Sequence, residues 1–74
     1  MNILEQVRES SARFIESNGR EPENIFVTKP ALLEVARLEK RSYYPNEILG
    51  IQVVIWSPTS GELERNGGAA FYLE

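Results

Sequence analysis

Ile48-Leu49-Gly50-Ile51-Gln52-Val53-Val54-Ile55-Trp56 is a near-continuous apolar run, rich in β-branched residues and fenced by Pro45-Asn46 before it and Ser57-Pro58 after it. Such a run reads as one strand buried on both faces. A strand apolar on both sides needs helices against one face and a further layer, or another molecule, against the other. That constraint organises the rest of the chain.

Working upstream, Leu32, Leu33, Val35, Ala36 and Leu38 carry a helix whose N-cap is Thr28 and whose first turn holds Pro30, where a missing N–H does no harm. Glu34 faces Arg37 one turn on, and the helix is expected to fray near Arg41-Ser42. Ile25-Phe26-Val27-Thr28 before it is a short strand, reached through the polar turn Arg20-Glu21-Pro22-Glu23-Asn24. Ile3, Leu4, Val7, Phe14 and Ile15 recur at helical spacing and stop at Asn18-Gly19, which predicts an amphipathic helix with a glycine C-cap. Downstream, Ser57 to Gly68 reads as a polar, glycine-punctuated loop, and Ala69-Ala70-Phe71-Tyr72-Leu73 as a closing strand.

The order is thus α-β-α-β-β. A strand-helix-strand crossover makes the first two strands parallel, and the long loop returns the last strand antiparallel to the central one. The expected product is an α/β (α+β) two-layer sandwich in a single domain, residues 1–74, with two helices on one face of a three-stranded mixed sheet. On the central strand Ile51, Val53 and Ile55 point one way, and Gln52, Val54 and Trp56 the other. The second set, joined by Phe26 or by Tyr72 depending on register, forms an aromatic-aliphatic patch that nothing in the chain covers unless the first helix crosses to that side. Phe26, Val54, Trp56 and Tyr72 are therefore the candidate interface residues, since Trp and Tyr dominate interface energetics.

Size points the same way. With 74 residues, area scaling gives a folded surface of about 4,600 Å² against about 12,200 Å² unfolded, and burial gains of that size only about match the cost of ordering. A chain without cysteine or histidine has neither a disulfide nor the usual zinc ligands to add, so self-association, most simply a homodimer, is the expected staple. Another protein is the alternative occupant of the face.

The missing histidine and cysteine also remove Ser-His-Asp, Cys-His, zinc and haem chemistries. Glu62 and Glu64 remain as an acid/base pair on paper, but they sit in a polar segment without an apolar wall. The glycines of Pro58-Thr59-Ser60-Gly61 and Asn66-Gly67-Gly68 match no phosphate-binding spacing and read as turns. Thr28-Lys29-Pro30 opens a helix after a strand, yet capping alone accounts for it. The chain is accordingly read as non-catalytic, with no cofactor.

A formal charge of −3, from eight basic and eleven acidic residues, argues against a general nucleic-acid binder. Arg37, Lys40 and Arg41 beside Tyr43 and Tyr44 form the one local basic-aromatic cluster that could grip a single strand. The same cations suit a helix C-terminus, with the tyrosines packing under the loop, and that is the preferred reading. No run approaches the length of a membrane span and Met1-Asn2-Ile3-Leu4-Glu5 has no basic segment leading into an apolar core, so a cytoplasmic setting is expected, with no membrane partner.

The segment Ile25-Phe26-Val27-Thr28, Pro30, the Leu32 to Leu38 helix and Ile48-Leu49-Gly50-Ile51-Gln52-Val53-Val54 with Ser57 resembles a strand-Pro-helix-strand stretch of tailed-phage major capsid proteins and of small phage or prophage proteins. It covers about half of the chain, with Gln52 where the capsid pattern has proline. The resemblance implies a phage-related origin and a structural or interaction role, and it carries over no catalytic residue.

Overall fold

The computed structural model describes residues 1–74. Asn2 opens the first helix by accepting the Glu5 backbone N–H at 2.9 Å, and Gly19, left-handed at φ +69°, closes it by donating to the Ile15 carbonyl. α1 (Ile3–Asn18) therefore spans the predicted apolar period and stops at the predicted glycine C-cap, with Asn2 as an N-cap that the sequence reading did not name. After β1 (Asn24–Val27), the Thr28 hydroxyl accepts from the Ala31 N–H and α2 (Lys29–Leu38) begins, with Pro30 in its first turn. α2 ends in a Schellman closure: Lys40 N–H bonds the Arg37 carbonyl and Arg41 N–H the Ala36 carbonyl at 2.8 Å. Lys40 takes the left-handed position at φ +57°, where glycine is the usual occupant.

The run from Ile48 to Trp56 is not one strand. It divides into β2 (Glu47–Ile48) and β3 (Ile51–Ile55), joined by a two-residue turn with Leu49 at φ +52° and Gly50 at φ +80°. Positive φ at both positions is the geometry that matches hairpin twist. The physical gain lies in Ile48 and Ile51. Three residues apart on a straight strand they would point to opposite faces; paired across a hairpin they share one, and they are 0% and 6% exposed in the core.

The segment after Pro58 is also more than a loop. Thr59 and Glu62 form a capping box, Thr59 Oγ1 accepting from Glu62 N–H and Glu62 Oε1 from Thr59 N–H, and α3 (Ser60–Arg65) follows. Gly67 and Gly68, both at positive φ, close it by bonding the Glu64 and Leu63 carbonyls. β4 (Phe71–Leu73) completes the chain's elements.

The two-layer α+β class with a mixed sheet is as expected, but the sheet has four strands rather than three, in the order β2-β3-β1-β4. β1 and β3 are parallel, in register from Asn24↔Gln52 to Val27↔Ile55. The last strand runs antiparallel to β1 and not, as expected, to the strand containing Val53 and Val54. The hairpin is the reason: β2 already occupies the outer edge of β3, so β4 cannot pair there and takes the free edge of β1. Val7 from α1 and Leu32 and Val35 from α2 bury against Ile25, Val27, Ile48, Ile51 and Phe71, so both long helices cover the same face. No helix is long and apolar enough to cross a membrane.

Candidate interaction surface

Register and alternation lay out the other face row by row. At one end Glu47 pairs with Gln52, Gln52 with Asn24, and Asn24 exchanges backbone hydrogen bonds with Glu74, which makes a polar row containing two carboxylates. The middle row is apolar, because Phe26 pairs with Val54 on one side and Tyr72 on the other. At the far end Trp56 extends the β1–β3 ladder by donating its N–H to the Val27 carbonyl, and Thr28 N–H bonds the Ala70 carbonyl.

Phe26, Val54, Trp56 and Tyr72, named from sequence, are thus brought together on one face. Phe26 and Tyr72 stack with centroids 4.7 Å apart and planes 6° from parallel, and Trp56 stands edge-on to Tyr72 at 5.0 Å. Both arrangements are favoured aromatic geometries. All four residues are half-buried and no helix lies across them as α1 and α2 lie across the opposite face.

α3 bears on this surface in a way that sequence reasoning missed. Glu62, Arg65 and Asn66 line a hollow with Trp56 and Tyr72, so the short helix stands as a wall at the tryptophan end. The signal was present in Thr59-Ser60-Gly61-Glu62, a capping box, followed by Gly67-Gly68 as a stop. Asn66 also protects the sheet edge. Since Ala70 and Glu74 bond β1, the carbonyls of Ala69 and Phe71 point outward, and the Asn66 Nδ2 donates to both, at 2.8 and 2.9 Å. With β4 guarded in this way and β2 only two residues long, strand addition has little edge to use.

The basic-aromatic cluster is partly assembled. Arg37, Arg41, Tyr43 and Tyr44 surround a hollow of about 310 Å³ with Leu33 and Ala36, while Lys40 is not among its lining. Each arginine already holds a carboxylate, Arg37 with Glu34 and Arg41 with Glu39, both at 3.0 Å. Glu62 is engaged in capping α3, and the Thr28 hydroxyl in capping α2. No three acidic side chains converge as a metal site would require. No family model, curated protein or solved structure matches the chain.

Proposed function

We propose that the protein is a non-catalytic interaction module that self-associates through the open face of its sheet. The supporting observation is the Val54, Phe26, Tyr72 and Trp56 surface, an apolar band in the place where a one-sided sheet ordinarily presents polar side chains to water. Four strands at about 4.8 Å spacing and four residues at about 3.3 Å rise give a face of roughly 250 Å² in plan. Allowing for side-chain relief and for both partners, total burial is on the order of 1,000 Å², the low end of specific interfaces. Association is accordingly expected in the micromolar range.

Sedimentation equilibrium over a wide concentration range tests this. Wild type should shift from monomer to dimer, and Trp56→Ala should remain monomeric while keeping its far-ultraviolet circular dichroism. A wild-type monomer persisting to millimolar concentration removes the proposal. Changing Arg37 and Arg41 together to Glu should leave the dimer intact.

A second reading, a small regulator that contacts nucleic acid, draws support from the hollow shared by Arg37, Arg41, Tyr43 and Tyr44. Salt separates the two, because phosphate contacts weaken steeply with ionic strength and an apolar interface does not. The carboxylates already paired with both arginines favour the first reading. A phage-related structural role belongs to the same proposal and rests on the capsid resemblance alone.

A further inference from the structure

Two copies of a sheet that meet face to face are related by a two-fold axis lying in the interface, and when their strands pack aligned that axis runs close to the strand direction or close to perpendicular to it. The face is not electrically uniform, so the choice has consequences. Its polar row carries Glu47 at the β2 edge and Glu74 at the β4 edge, and neither carboxylate has an ion-pair partner in the chain. At the opposite end Arg65 lies beside Trp56 and Tyr72, also without an ion-pair partner.

An axis along the strands lays end upon like end and exchanges the edges. Each Glu74 then meets the partner's Glu47, twice over, while the two arginines stand at opposite edges of the other end, away from both carboxylates. The two α3 walls also stand at the same end and hold the sheets apart there. An axis across the strands keeps each strand over its own copy and reverses its direction. The apolar rows still coincide, Phe26 and Tyr72 over the same residues of the other copy, but each α3 wall now faces the end that has none. Arg65, on the element leading into β4, then comes over the partner's Glu74.

Resting on the self-association reading, we infer that two copies pack with antiparallel strands about an axis crossing them, locked by two symmetry-related Arg65–Glu74 pairs. The pairs act at the rim, so they set orientation more than affinity. The apolar row supplies the burial and the charges choose between the two ways of covering it.

Charge exchange between copies tests the inference. Arg65→Glu makes both rim pairs repulsive, and so does Glu74→Arg; each variant alone should dimerise at least about tenfold more weakly than wild type. In an equimolar mixture every rim pair of the heterodimer is again Glu against Arg, and sedimentation should show association restored to within a few-fold of wild type. Recovery on mixing also shows that both variants are folded. If wild type dimerises but Arg65→Glu leaves its affinity unchanged, or Glu74→Arg tightens it, the axis runs along the strands and the inference is overturned. Failure of the mixture to recover overturns it equally. A wild-type chain that never dimerises instead removes the reading beneath it.

Discussion

Along β1 the side chains alternate between two environments. Ile25 and Val27 are 0% exposed beneath α1 and α2, whereas Phe26 between them is half-buried, with Tyr72 stacked on one side and Val54 paired on the other. An ordinary one-sided sheet answers this difference with polar residues on its outer positions. Here the outer band is aromatic and branched aliphatic, flanked by the polar end row of Glu47, Gln52, Asn24 and Glu74 and, at the tryptophan end, by Glu62 and Arg65 of α3 and its cap Asn66. One face is composed to hold the fold, and the other is the surface proposed to meet a second copy.

The strongest way to break this comparison is to truncate each face in turn. Ile25→Ala should lose about 3 kcal/mol of unfolding free energy in urea titrations, the range for a buried branched residue that leaves a cavity. Phe26→Ala, one position on, should cost about 1 kcal/mol in dilute monomer, since it removes a stacked pair from a half-wet site. Its larger effect should be on assembly, with dimerisation weakened more than tenfold. Equal losses at both positions in dilute solution would show that the two faces are sheltered alike. The smallest changes touch neither face. Lys40→Gly and Leu49→Asn place residues tolerant of positive φ where the backbone demands it, and each should add about 0.5–1 kcal/mol without altering dimerisation. A shift in association from either would mean that stability and assembly are not separable.

The parts of the fold that follow local rules were legible. α1 stops at the glycine C-cap Gly19, Thr28 and Pro30 mark the start of α2, and the β1–α2–β3 crossover is parallel as expected. The turn at Leu49-Gly50 was hidden because a leucine at φ +52° runs against propensity, and its neighbours read as continuous strand. That one reversal then moved the last strand, since edge vacancy is a property of the assembled sheet and not of any segment. α3 escaped notice because six residues carrying a single leucine show no helical period. Period-two alternation sufficed to put Val54 with Trp56. Joining both Phe26 and Tyr72 to them required the register, as did the opposed positions of Arg65 and Glu74.

The central place of β1 has a consequence for biosynthesis. Its two neighbours come from residues 51–55 and 71–73, so a nascent chain that has emerged only through α2 offers Ile25 and Val27 no strand to pair with. Helical turns can flicker early, but the sheet waits for the most distal segment, and productive folding is therefore expected after translation has passed Leu73.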